Sequence, residues 1–120
     1  MSEGSVAELL VAAFAARGVR RMFGLPGGGS SLDVIHAAAA VGIDFVLTRT
    51  ECAAVMMAAA TAELSGTPGV ALTTKGPGAA SAVNGIAYAS LDRAPLVLLT
   101  DGFSPAEQRY ITHQVFDQRA

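Results

Sequence analysis

The chain has 120 residues, 52% of them hydrophobic and only 15% charged, with 8 Lys+Arg against 10 Asp+Glu. That length suits one domain or part of one, and the net charge of -2 argues against a nucleic-acid binder or a polybasic membrane anchor, both of which show a basic excess. Intrinsic disorder would need the opposite balance of apolar and charged residues.

In chain order, Met1–Ser5 lacks the basic start of a secretory signal. Ser5-Val6-Ala7-Glu8 matches a capping box, and Val6, Leu9, Leu10, Ala13 and Phe14 follow at helical spacing until Gly18 stops the helix. Arg20–Leu25 reads as a short strand ending in a Gly/Pro cluster. Ser30 or Ser31 is expected to cap a second helix that runs to about Val41. Ile43–Thr48 is a second strand. Glu51–Leu64 is an alanine-rich helix stopped by Ser65–Gly69. It holds a long apolar run, Ala53–Ala60, far short of the ~20 residues that span a bilayer. Its small residues reflect either plain helix propensity or a closely packed interface, with the interface favoured by Val55, Met56 and Met57 around them. Cys52 is the single cysteine, which excludes an internal disulfide and a cysteine metal cluster. Val70–Thr74 is a third strand, Gly76-Pro77-Gly78 a tight turn, Ala79–Leu91 a helix and Pro95–Thr100 a fourth strand. Short apolar strands separated by helices imply βαβ crossovers and an open, mostly parallel α/β sheet with helices on both faces. A charged fraction this low should leave apolar surface uncovered after folding, to meet another chain or domain. A soluble, cytoplasmic protein is expected.

In such a sheet, ligands bind beyond the carboxyl ends of the strands. Three of these ends are distinctive. Gly24–Ser31 and Thr73–Ser81 set glycines and hydroxyls ahead of a helix, where backbone N–H groups approach a ligand. Neither is a good phosphate motif: Ser30 stands where a P-loop needs Lys, and Ser81 where the dinucleotide fingerprint needs its last glycine. Taken singly, each loop is better read as a turn built for helix entry. Glu51 is sharper. It follows a strand, and no acid or base comes after it until Glu63. It is either a first-turn carboxylate facing the helix dipole, with Thr50 as N-cap, or a ligand-facing acid.

Four segments in order now matter: Phe23-Gly24-Leu25-Pro26-Gly27-Gly28, Arg49-Thr50-Glu51, Thr74-Lys75-Gly76-Pro77-Gly78-Ala79 and Leu91-Asp92-Arg93-Ala94-Pro95-Leu96. Together they resemble the pyrimidine-binding (PYR) domain of thiamine-diphosphate enzymes, in the acetolactate synthase and benzaldehyde lyase branch. The match runs from about residue 5 to residue 118. The resemblance implies a flavodoxin-like fold and assigns roles. Glu51 falls on the catalytic glutamate that hydrogen-bonds N1′ of the cofactor's aminopyrimidine and favours its 4′-imino form, so that C2 of the thiazolium loses its proton and attacks a 2-oxo acid or aldehyde. That chemistry wants a proton-exchanging carboxyl in a poorly solvated slot, while the cofactor does the bond-making. Pro26, Gly27 and Gly28 fall on a loop near the reacting end. Thr74, Gly76 and Pro77 fall on the loop beside the pyrimidine, with Ser81 where the family has asparagine. Gln114 falls on a glutamine that reaches the active site from the partner side, or is an ordinary loop amide.

Three positions depart from the pattern. Besides Ser81, Lys75 replaces a small hydroxyl residue and is expected to face solvent or a partner chain, and Cys52 stands where glutamine or alanine is common. His36 is expected to be a surface or packing residue, and His113 could touch substrate. The family's domain has about six strands, and four are legible. Residues 1–120 therefore read as a PYR domain incomplete at its C-terminus, without the middle and diphosphate-binding (PP) domains. The resemblance puts Mg²⁺ and the diphosphate on the missing PP domain and the cofactor between the PYR domain of one subunit and the PP domain of another. It implies a homodimer or larger assembly, a chain inactive alone, and no metal site of its own. Two other readings stay open: a Rossmann-like nucleotide module with Asp101 as its acidic residue, and a non-catalytic interaction domain.

Overall fold

The computed structural model describes residues 4–115, 117 and 118. Helix α1, Val6–Ala16, opens with the expected capping box: the Glu8 N–H donates to Ser5 Oγ at 3.2 Å and the Ser5 N–H to Glu8 Oε2 at 2.6 Å. Strand β1 (Arg21–Leu25), helix α2 (Ser30–Ala40), strand β2 (Asp44–Leu47), helix α3 (Glu51–Ser65) and strand β3 (Gly69–Thr73) follow.

Two local expectations fail. Neither Ser30 nor Ser31 caps α2; Gly29 holds the N-cap position with no side-chain cap, because both serine hydroxyls donate to Asp101 instead. A carboxylate is the stronger acceptor partner for a hydroxyl. The helix expected over Ala79–Leu91 is two helices, α4 (Pro77–Ser81) and α5 (Val83–Leu91). At the junction the Ala82 N–H reaches back three residues, to the Ala79 carbonyl at 3.2 Å. The break separates a turn pinned under Thr74 at Gly78 from a helix pinned on α3 at Gly85, where an added Cβ would lie 2.7 Å from Val55 Cβ. Strand β4 (Leu96–Thr100) and a 3-10 turn at Glu107–Arg109 complete the described elements.

The four strands form one parallel sheet in the order β2-β1-β3-β4. Side chains alternate across it. Met22, Val70, Val97 and Leu99 pack on one face with Val11 and Phe14 of α1 and Val34, Ala37 and Ala38 of α2. Phe23, Ala71, Leu96 and Leu98 pack on the other with Ala54, Val55 and Ala58 of α3. This is the flavodoxin-like α/β arrangement that the sequence implies.

The alanines of α3 have an internal use. Ala54, Val55, Ala58, Ala59 and Ala62 are its buried residues, and the helix lies so close to β3 that a Cβ on Gly69 would stand 2.7 Å from the Ala58 carbonyl carbon. Small residues here bring a helix onto its own sheet. Apolar surface is nonetheless left over: Leu47, Leu64 and Leu91 are 68%, 90% and 84% exposed, and Leu96–Leu99 of the edge strand β4 are only half-buried. No helix among the described residues is long and apolar enough to cross a membrane.

Candidate cofactor-binding site

The chain leaves β1 for β2 at one edge, then returns to β3 and β4 on the other side. The strand order therefore reverses between β1 and β3, the place where open α/β sheets form a ligand crevice beyond the strands' carboxyl ends. The loop after β1 and the loop after β3 border it. They touch: the Thr74 side chain lies against Gly27, where an added Cβ would come within 2.9 Å of Thr74 Cβ.

Glu51 enters from a third direction, at the start of α3. Thr50 fixes that start, its hydroxyl accepting from the Ala53 N–H at 3.1 Å, while Thr48 Oγ1 donates to the Thr50 carbonyl at 3.0 Å. Glu51 is half-buried. Its Oε1 lies 3.6 Å from the point a Gly78 Cβ would occupy, and that point is 2.7 Å from Thr74 Cγ2. A side chain at Gly78 would collide with Thr74 and press against Glu51. Within the described residues the Glu51 carboxyl has neither a hydrogen bond nor an ion pair. Glu51, Thr74, Gly27 and Gly78 thus form one cluster. Glu51 faces the glycine turn after β3 directly, and the one after β1 through Thr74.

The other expected site residues lie around it. Pro26 is half-buried and Gly28 exposed. Pro77 is exposed at the first position of α4. Gly76 is buried with φ 65°, and a Cβ there would stand 3.0 Å from the carbonyl carbon of Gln114. The backbone of Gln114 therefore packs on the Gly76 turn. Ser81 is exposed at the end of α4. Lys75 does not simply face solvent: it is half-buried, with Nζ 4.7 Å from the centre of the Phe103 ring, a cation–π arrangement. Cys52 Sγ accepts from Asn84 Nδ2 at 3.7 Å, and His36 and His113 are exposed. Asp101 is buried and its carboxylate accepts from the Ser30 and Ser31 hydroxyls. A nucleotide-binding reading needs that carboxylate for a ribose, and the fold has already used it.

The larger cavity, about 680 Å³, lies between α1, α2 and the end of β4, on the sheet face opposite α3. A smaller one of about 440 Å³ lies beside the Gly76 turn, lined by Lys75, Phe103, Gln108, Gln114 and Gln118. The chemistry-bearing cluster at Glu51 is in neither.

Residues 4–120 match the family described as thiamine pyrophosphate enzyme, N-terminal TPP binding domain. The chain belongs to that family. It is 48% identical over 97 residues to the acetolactate synthase isozyme 3 large subunit of Escherichia coli K12, covering 80% of this chain and 17% of that protein. It is 36% identical over 115 residues to acetolactate synthase of Bacillus subtilis 168, covering 95% of this chain and 20% of that one. With the chloroplastic acetolactate synthase of Arabidopsis thaliana the identity is 43% over 95 residues, 78% of this chain and 14% of that one. The chain thus spans a fifth or less of these relatives. As an acetolactate synthase-like TPP-binding domain, it carries at its sheet end one feature the sequence reading missed: Gln118, whose side chain contacts both the Gly76 and the Asp101 backbone. A lone glutamine late in the chain has no local signal to mark it.

Proposed function

We propose that this chain supplies the pyrimidine-side wall of a thiamine-diphosphate site in an acetolactate synthase-like 2-oxo-acid decarboxylase or carboligase. The observation that carries the reading is the Glu51 carboxyl: half-buried, without a hydrogen bond or ion pair among the described residues, and beside Gly78 of the turn after β3. A carboxyl in that position is free to hydrogen-bond a ring nitrogen brought into the crevice and to exchange a proton with it. Thr74 packs against both Gly27 and Gly78, which ties the two loops together beside Glu51. Thr74 and Gly76 set the loop beside it, and Pro26, Gly27 and Gly28 the loop toward the reacting end. Thiamine diphosphate, when bound, supplies the carbon nucleophile that attacks a 2-oxo acid or aldehyde carbonyl. The chain's own part is to orient the ring and to hold the proton at Glu51. Gln114, whose backbone rests on the Gly76 turn, and Ser81 complete the proposed contacts.

Among the described residues no group of three or more His, Cys, Asp or Glu could hold a metal ion. On the family resemblance, Mg²⁺ and the diphosphate are assigned to a PP domain, contributed by a second subunit of a homodimer or larger assembly. The uncovered apolar surface supports a shared site of this kind. A cytoplasmic location belongs to the same proposal.

The test is Glu51→Gln in the full-length protein, which keeps the shape and removes the exchangeable acid. Proton exchange at C2 of bound thiamine diphosphate should slow by about 10²- to 10⁴-fold. An unchanged exchange rate would overturn the assignment.

A further inference from the structure

The two glycine loops of the crevice come from strands separated in sequence, yet one line of hydrogen bonds joins them. The Gly76 N–H donates to Gln118 Oε1 at 3.0 Å. Gln118 Nε2 donates to the Asp101 carbonyl at 2.8 Å. The Asp101 carboxylate accepts from Ser31 Oγ at 2.8 Å and from Ser30 Oγ, at the start of α2. Thr100 Oγ1 adds a parallel tie to the Thr74 carbonyl at 3.2 Å.

Gln118 suits the centre of this line for a chemical reason. It must accept from an N–H and donate to a carbonyl at once, and a primary amide does both. Glutamate would present only acceptors, and methionine neither function. Its partner at Gly76 is the buried residue with φ 65° that begins the turn into α4. A peptide plane is rigid, so holding the Gly76 N–H also fixes the direction of the Lys75 carbonyl. The other end is firm, because Asp101 is buried and held by two hydroxyls.

We propose that Gln118 is a positioning residue: with Asp101 as its anchor, it sets the Gly76 turn relative to the loop after β1 and so presets the crevice for the cofactor. This rests on the functional reading above. Gln118 itself is not placed among the groups that touch cofactor.

The test compares Gln118→Met and Gln118→Glu with the parent in the full-length protein, using two readouts. The first is amide hydrogen exchange over residues 74–82 without ligand. The second is thiamine diphosphate, titrated with Mg²⁺ present, by direct binding and by KM and kcat. In Gln118→Met the exchange should speed up about tenfold, and the dissociation constant and KM for thiamine diphosphate should rise about tenfold, more than kcat falls; the loss of one hydrogen bond to a buried N–H is of this size. Gln118→Glu retains the acceptor for Gly76 and should restore part of both. Unchanged exchange in Gln118→Met would overturn the link. So would faster exchange with unaltered thiamine diphosphate affinity, or a Glu variant as impaired as the Met variant. The ligand-free exchange is independent of Glu51, so failure here and failure of the Glu51→Gln test are separate results.

Discussion

Two carboxylates stand near the carboxyl end of the sheet, and they live differently. Asp101 is buried, and both its oxygens take serine hydroxyls. Glu51 is half-buried, takes no hydrogen bond or ion pair from the described residues, and lies beside Gly78. Burial of a charge is tolerated when hydrogen bonds replace water. Asp101 meets that condition and acts as a fastener. Glu51 meets it only in part, and a group left unsatisfied at a crevice is available to a ligand. The two acids are of the same chemistry, so their surroundings decide which is structural and, on the proposed reading, which is reactive.

Four experiments would break or sharpen this contrast. The largest difference should be in chemistry: Glu51→Gln lowers turnover of the full-length protein by about 10²-fold or more, whereas its unfolding free energy by urea changes by under ~0.5 kcal/mol. Equal effects on both measurements would erase the distinction. Asp101→Ala should show the reverse weighting, with a loss of about 2–3 kcal/mol in the same urea experiment, because the buried Ser31 hydroxyl is stranded. Thr50→Ala removes the N-cap that sets where Glu51 begins and should cost about 1 kcal/mol. The smallest effect concerns a third carboxylate. Hydrogen bonds from the Ser104 side chain and backbone hold Glu107 below its ordinary carboxylate value. A depressed folded value contributes order that is fully present above the unfolded value and lost as pH falls through the folded one. The protection of the amides of residues 107–111, taken relative to their intrinsic exchange rates at each pH, should therefore fall in acid below the usual carboxylate range, while that of α3 does not follow; identical pH responses would contradict it.

Much of this was open to a reader of the sequence, for local reasons. The capping box at Ser5 and Glu8 and the Thr50 cap act within one helical turn, and both form. The strands are short apolar runs between helices, and the sheet is parallel with two covered faces. The approach of Glu51 to the β3 glycine turn follows from placing both at the same sheet end. What stayed hidden depends on partners far along the chain. Ser30 and Ser31 look like helix caps until Asp101, about 70 residues away, claims them. The Ala79–Leu91 segment reads as one helix because its break reflects contacts at Gly78 and Gly85 with other elements. Lys75 turned to Phe103, a pairing no spacing rule supplies. One signal was local and passed over: Ser104-Pro105-Ala106-Glu107 has capping-box spacing, and it opens the 3-10 turn with both reciprocal bonds.

Lys75 is the one lysine in this sequence, and its ammonium rests on an aromatic ring next to the Gly76 turn. Amine-directed reagents would therefore tag a single side chain of this domain. A fluorophore or spin label attached there would report from the rim of the crevice with no engineered cysteine needed.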